Sequence, residues 1–452
     1  MKKIASHIID SPRRDLEWRL ILAKKLSERG VASFLGSAHK VRRSYAKTGG
    51  VLVGRLGGTS GRSKFDKMFL EEIARAKGKV FYFHDEGGAF KVNDYERETK
   101  LAYPEELFEK KAIHKVYFWG QAQYDLFKDC TWIDKGRILG CPRFDIYAQA
   151  YDKPDNKDVM SSYVLINSRF SNVNTVPDDP TALSRRMFEI RCEGGESERR
   201  TREEIISSMY KRWAVSAKDF IEFVDMVANT CLSFPDIQFK FRPHPAENEE
   251  WYIKNFENLD NLIVEKQGDV HRVMRDASLV IHSECTTGLE AELLGKPHIN
   301  FVPFPEEEGE GVVGLRSIGM KAATKEDVKQ NLIEFFENSH LTDSDNSIIK
   351  KYIHNISSLG EATTELAQDI SEFFEEIQPH RTKLGLNRDY LYLAAKDVLR
   401  DKYHNFNRSR GAIGKFVWPD RHEIIKLWCS LGGRKDQINV KRTSVFIRPE
   451  KS

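Results

Sequence analysis

Three short clusters in this chain carry side chains that could bind an anion or move a proton. Arg242-Pro243-His244-Pro245 sets a guanidinium and an imidazole among prolines that stiffen the backbone. Ser283-Glu284-Cys285-Thr286-Thr287-Gly288 puts hydroxyls and a glycine at the start of a helical pattern that also holds Glu290. His84-Asp85-Glu86-Gly87-Gly88 places two carboxylates before two glycines that free the backbone to turn. Arg242 presents a planar fork of donors that matches phosphate oxygens. His244, protonated, would donate to the same phosphate and stabilise the charge that grows as a bond to it breaks. Free N–H groups at a helix start beside Thr286, Thr287 and Gly288 suit an anion; a plain helix cap is the competing reading. Glu290 either accepts from the hydroxyls of a ligand or complements the helix dipole.

Asp85 and Glu86 are the catalytic candidates. One of them would act as general base on a hydroxyl, or attack a carbon and form a covalent intermediate. The separation of the carboxyl groups decides between these, and it is a structural quantity. Capping a turn or pairing with Arg143 is the alternative use. Arg14 and Glu17, at the start of the first helix, would contact an acceptor or a sugar, or simply form salt bridges.

These clusters need strands that end where they begin. Apolar runs predict strands at 3–9, 31–35, 51–54, 79–83, 115–119 and 137–139, and again at 164–167, 239–242, 261–264, 278–281 and 297–301. Helical patterns fall between them, at 65–77, from 121, and at 211–231, 271–276, 325–338 and 357–377. Ser11 and Pro12 start the first helix, Leu16, Leu20, Ala23 and Leu26 share one face of it, and Gly30 closes it. Short strands alternating with helices make parallel sheets, and ligands sit beyond the carboxyl ends of such strands. All three clusters lie there.

The expected fold is α/β, with two Rossmann-like domains facing a cleft and a basic, mainly helical C-terminal extension. Residues 1–155 form the first domain, 156–377 the second and 378–452 the extension, with a polar linker at 152–158 and a long loop at 174–200. Overall the net charge is only +3, but residues 381–451 hold 17 Lys/Arg against 7 Asp/Glu. Such a tail could rest on an anionic membrane, or serve as a solvated face. Tyr390, Phe416, Trp418 and Trp428 give it enough aromatic area to predict an ordered element. No apolar run approaches the ~18 residues that span a bilayer. Six scattered cysteines without a CxxC pair indicate a reduced, intracellular protein without structural zinc. Asp343-Ser344-Asp345 lies away from the clusters, so no metal, no cofactor and no nucleic-acid partner is expected.

Taken in order, Arg14 to Ala23, Asp85-Glu86-Gly87, Gly140-Cys141-Pro142-Arg143-Phe144-Asp145, Arg242-Pro243-His244-Pro245 and Cys285-Thr286-Thr287-Gly288 resemble the motifs of bacterial surface-carbohydrate-biosynthesis proteins. These are GT-B-like proteins related to the Kdo transferases of capsule and O-antigen assembly, and the resemblance covers roughly residues 1–375. It implies a metal-independent glycosyltransferase on the cytoplasmic face of the membrane. Its donor would be a nucleotide-activated sugar, CMP-Kdo or another CMP-linked acid, and its acceptor a glycan or a lipid-linked glycan. Asp85, Glu86 and His244 would then be catalytic. Arg242, His244, Ser283, Thr286, Thr287, Gly288, Glu290, Arg143 and Asn167 would bind the nucleotide sugar, and Arg14 and Glu17 the acceptor or sugar. The His-Pro and Thr-Thr pair is similar to the donor site of bacterial sialyltransferases, which carry two serines instead. Gly288 to Pro297 is similar to sugar-nucleotide 2-epimerases, where a glutamate near Glu290 holds a ribose. Gly88 and Ala89 after the acidic pair, and Cys141 where the family pattern has Asn, depart from the resemblance. A sugar-nucleotide epimerase or hydrolase, and a non-catalytic assembly factor, are the alternatives.

Overall fold

All five residues of Ile4–Ile8 are buried, the pattern of a strand covered on both faces. This strand, β1, begins the first of two parallel sheets in the computed structural model. The structure describes residues 3–56, 64–85, 95–148, 163–175, 201–304, 318–338, 347–376, 418–441 and 443–450. Met1–Phe90, Tyr95–Lys153 and Lys350–Ser452 contribute one compact unit, and Pro154–Ile349 make up most of the second.

In the first unit, β1 is followed by β2 (Ala32–Gly36), β3 (Val51–Val53), β4 (Lys79–Tyr82), β5 (Ile113–Phe118) and β6 (Gly136–Ile138). They lie parallel in the order β2-β1-β3-β4-β5-β6. Helix α1 (Pro12–Glu28) buries Leu16, Leu20, Ala23 and Leu26 as its periodicity requires. Its start differs from expectation, because the Ser11 side chain makes no cap bond. Instead the Ser11 N–H donates to Asp15 Oδ2 at 3.0 Å, so the carboxylate in the first turn satisfies the free donor.

Two expectations about the C-terminal third are corrected. The helix Glu361–Glu376, placed above in the second domain, packs on α1 in the first unit. A socket for it explains this: Asp145 accepts from the N–H of Gly360 at 2.9 Å and of Thr363 at 2.6 Å, and from the Asn355 amide at 3.2 Å. The extension is also not mainly helical where it is described. One helix, Arg421–Ser430, precedes an antiparallel hairpin, β13 (Ile438–Lys441) and β14 (Ser444–Ile447), and β14 pairs antiparallel with β2. The hairpin thus extends the first sheet to eight strands. Trp428, Val445 and Ile447 are buried with Leu16, Leu20 and Leu35. Only six of the tail's 17 Lys/Arg, against four of its seven Asp/Glu, fall among the described residues, so most of its excess charge lies outside them. Tyr390, Phe416, Glu86, the linker and most of the 174–200 stretch also lie outside the described residues.

The second unit contains β7 (Tyr163–Asn167), β8 (Phe239–Arg242), β9 (Leu262–Val264), β10 (Ala277–His282), β11 (His298–Phe301) and β12 (Met320–Ala322), the last not anticipated. All are parallel in the order β12-β11-β10-β7-β8-β9. A 32-residue helix, Arg202–Ser233, starts nine positions before its expected beginning, held by a capping box between Thr201 and Glu204. Its Phe223, Met226 and Val227 pack with Phe239 and Phe241 of β8.

Candidate functional site

Numbered within the second unit, the strands run 3-2-1-4-5-6, the order of the dinucleotide-binding α/β fold. The chain leaves β7 and β10 in opposite directions, so the crevice for a ligand opens at their carboxyl ends. There Asn167 stands opposite His282 of β10 and opposite Arg242 of β8. The Asn167 side chain is buried, yet neither its amide N nor its amide O meets a hydrogen-bond partner among the described residues. A buried amide without partners costs free energy that a bound polar group would recover.

Two residues beyond β7, Arg169 reaches across this junction. Its Nε is 3.4 Å from Ser283 Oγ, and its Nη2 is 3.0 Å from Asp219 Oδ2. The turn after β10 is strained, with Glu284 in the left-handed region at φ +37° and its N–H bonded to Asn300 Oδ1 at 2.9 Å. From that turn, directly after β10, the helix Thr286–Leu293 starts without a side-chain cap bond. Gly288 is required here, because a Cβ would lie 2.3 Å from His282 Cε1. His282 is wholly buried with neither ring nitrogen bonded, and burial, then His298 and Arg169, push its pKa well below the usual value. It is a neutral packing group under the helix start.

Asn167, Ser283, Thr286, Thr287, Gly288 and Glu290 therefore share one sheet edge, at β7, β10 and the helix that follows. Arg242 is next to them but committed elsewhere: its Nη1 and Nη2 donate to the carbonyls of Gln267 at 2.7 Å and Gly268 at 2.6 Å. Its fork holds the loop after β9, whereas Arg169 lies beside Ser283 at the strand reversal. His244 Nδ1 accepts the Ala246 N–H at 3.1 Å, which puts the neutral ring's proton on Nε2. Arg143 lies in the other unit, buried with its guanidinium 5.1 Å from the Phe144 ring centre.

Beneath the His244 turn sits a carboxyl that sequence reasoning did not flag. Glu247 is fully buried and its Oε2 accepts from Tyr252 Oη at 2.8 Å; burial pushes its pKa up to about 7, against the lowering by Ser168 and Tyr252. A carboxyl raised in the folded state binds a proton that the unfolded chain has released. The native state is therefore favoured at low pH, and stability falls as pH rises from about 4.5 to about 7. The total penalty above that window is on the order of 3 kcal/mol. Glu247→Gln should flatten this slope and raise the midpoint of urea unfolding at pH 8. An unchanged slope between pH 5 and 8 would exclude Glu247 as its source.

The first unit has its own reversal between β1 and β3, since β2 lies on the far side of β1. Charged side chains alternate in sign across these strand ends. Asp10, just after β1, pairs with Arg55 Nη2, and Arg55 Nε lies 3.7 Å from Asp85 Oδ2. Asp85 Oδ1 accepts from Arg19 Nη2 at 3.0 Å, and Arg19 Nη1 donates to the Val53 carbonyl at 3.0 Å. Gly54, at φ +105°, lets Arg19 through, because a Cβ there would be 2.6 Å from Arg19 Nη2. Arg14 binds Asp15 at 2.5 and 2.9 Å, and Glu17 is half-buried on the same helix. Asp10, Arg19 and Arg55 were not anticipated. A charge directly after a buried apolar strand was the available signal for Asp10.

Two Rossmann-like α/β units, each with polar groups at its strand reversal, define a GT-B-like fold class. Among the described residues no helix is long and apolar enough to cross a membrane, and no group of His, Cys, Asp and Glu is arranged to hold a metal ion. No sequence family and no curated protein matches the chain. Solved structures do. A Listeria monocytogenes protein described as a UDP-N-acetylglucosamine 2-epimerase aligns with TM-score 0.50 at 12% identity, over 84% of this chain and 98% of its own. Staphylococcus aureus MnaA with UDP gives 0.49 at 11%, covering 85% and 100%. A variant of the wall teichoic acid polymerase TagF gives 0.46 at 11%, covering 83% and 90%. At such identities the shared property is the fold.

Proposed function

We propose that the chain is a glycosyltransferase of surface-glycan assembly that uses a nucleotide-activated sugar, with CMP-Kdo or another CMP-linked acid as donor. One observation carries this reading: Arg169, the partnerless Asn167 amide and the uncapped helix start at Thr286 meet at the strand reversal of the second sheet. Guanidinium and helix N–H groups together suit a phosphate. Glu290, just past the first turn of that helix, would accept from ribose hydroxyls, and the Nε2–H of His244 would donate to the phosphate that leaves with the nucleotide.

Calorimetry against CMP, CDP, UDP and GDP tests the class and the nucleotide together. CMP should bind most tightly, and His244→Ala should weaken it by about tenfold to a hundredfold, the worth of a hydrogen bond to a charged group. Absence of binding by all four nucleotides would overturn the reading. A UDP-sugar 2-epimerase is the second reading, favoured by the fold shared with the Listeria protein. Incubating UDP-N-acetylglucosamine with the protein alone separates the two, since only an epimerase or hydrolase changes it without an acceptor.

A further inference from the structure

We propose that Asp10, not Asp85, takes the acceptor proton in the glycosyl transfer, and that Asp85, Arg55 and Arg19 position it. This role presupposes the transferase reading above. Asp10 lies two residues past the end of β1, at the strand reversal of the first sheet, where an α/β sheet of this kind opens its crevice. It is also the one open link in the chain of charges. Its side chain is 37% exposed, whereas Arg55 is 7%, Asp85 6% and Arg19 1% exposed. Asp85 has a guanidinium against each oxygen, Arg19 on Oδ1 and Arg55 on Oδ2. Those contacts hold the Asp85 carboxylate inside.

In the reaction, the acceptor oxygen forms a bond to the anomeric carbon as its proton passes to an Asp10 carboxylate oxygen. The bond from the anomeric carbon to the donor phosphate breaks, and the phosphate leaves with the electron pair. Arg55 fixes the orientation of Asp10, Asp85 fixes Arg55, and Arg19 ties Asp85 to the Val53 carbonyl. The groups facing Asp10 are Arg55 from the loop after β3, Asp85 from the loop after β4, and Asp15 and Arg14 from α1. Although its rim meets solvent, the carboxyl is surrounded closely enough that burial is the largest influence. Burial and the two other aspartates raise its pKa above 3.8, while Arg55 and Arg14 oppose the rise. A base raised in this way is a better proton acceptor near neutral pH.

The experiment compares wild type, Asp10→Asn, Asp10→Glu and Arg55→Gln in donor binding and in transfer across pH. Asp10→Asn should bind donor as wild type does, which shows that it is folded, and lose at least about a hundredfold in kcat. Asp10→Glu should recover part of the loss. Wild-type kcat/KM should fall on the acid side as Asp10 protonates, and that limb should disappear in Asp10→Asn. In Arg55→Gln the limb should move to higher pH, because a cation that holds Asp10 ionised is gone; a merely structural Arg55 would change rate without moving it. Full kcat in Asp10→Asn overturns the role and leaves the transferase reading standing. A glycosyl adduct trapped on Asp10 overturns it in favour of a nucleophile. Failure of wild type to bind any nucleotide sugar overturns the transferase reading, and this role with it.

Discussion

Asp85→Ala should destabilise the first unit by about 3–5 kcal/mol, the usual cost of leaving a buried charge without its partner. Arg19 is 1% exposed and, among the described residues, keeps the Val53 carbonyl and the Trp18 ring after the change, while Arg55 retains Asp10. The effect should therefore act mainly through Arg19, and a second change, Arg19→Met, should recover much of the lost stability. Urea unfolding followed by the fluorescence of Trp18, whose ring lies 4.0 Å from the Arg19 guanidinium, reads the first unit directly. An unchanged midpoint would mean that the Arg19–Asp85 contact contributes nothing net. This outcome also separates the two carboxylates, since Asp10→Asn is expected to spare the fold and Asp85→Ala to break it.

A comparable loss is expected from Asp145→Ala. The Asp145 side chain is wholly buried and accepts from Gly360, Thr363 and Asn355. Removing it leaves two backbone N–H groups without acceptors and the Asn355 amide with the Cys141 carbonyl, at about 1–3 kcal/mol for each group that stays buried and unpaired. Because these donors start the helix Glu361–Glu376, that helix should loosen from α1 before the sheets do. Hydrogen exchange across 361–376 should rise sharply while β7–β11 stay protected. Uniform exchange changes, or none, would show that the socket is not what seats the helix.

The strands were legible because burial on both faces writes them as short apolar runs. All eleven expected strand positions from β1 to β11 hold a strand, most within a residue or two of the predicted bounds. β12 escaped because Met320-Lys321-Ala322 is three residues long with a lysine at its centre. The helix Glu361–Glu376 was recognised as a helix but assigned to the wrong unit. Its apolar face says only that it packs, and the carboxylate that seats it is more than two hundred positions away. In the second unit the strand-end hydroxyls and Gly288 were readable from spacing. Arg242 was readable as a strand-end arginine, and only the fold shows that its guanidinium donates to the Gln267 and Gly268 carbonyls. Gly140-Cys141-Pro142-Arg143-Phe144-Asp145 entered as one of the motifs that carry the family resemblance. In the structure its aspartate binds the chain's own backbone.

The hairpin beside β2 sets an order of events during synthesis. Lys24 and Glu450 are in contact although 426 positions separate them, and Ser27 Oγ donates to the Arg448 carbonyl. A growing chain emerging from the ribosome therefore completes the six-stranded sheet of residues 163–322 first, while Leu16, Leu20 and Leu35 still await Trp428 and Val445. The opening hundred and fifty residues are made first and finish folding last, which reverses the usual N-terminal precedence and lengthens the time their apolar face stays open to chaperones. A premature stop after residue 376 would not trim an appendage. It would strip the N-terminal domain of its outer strands and leave β2 as an unpaired edge, a ready template for aggregation.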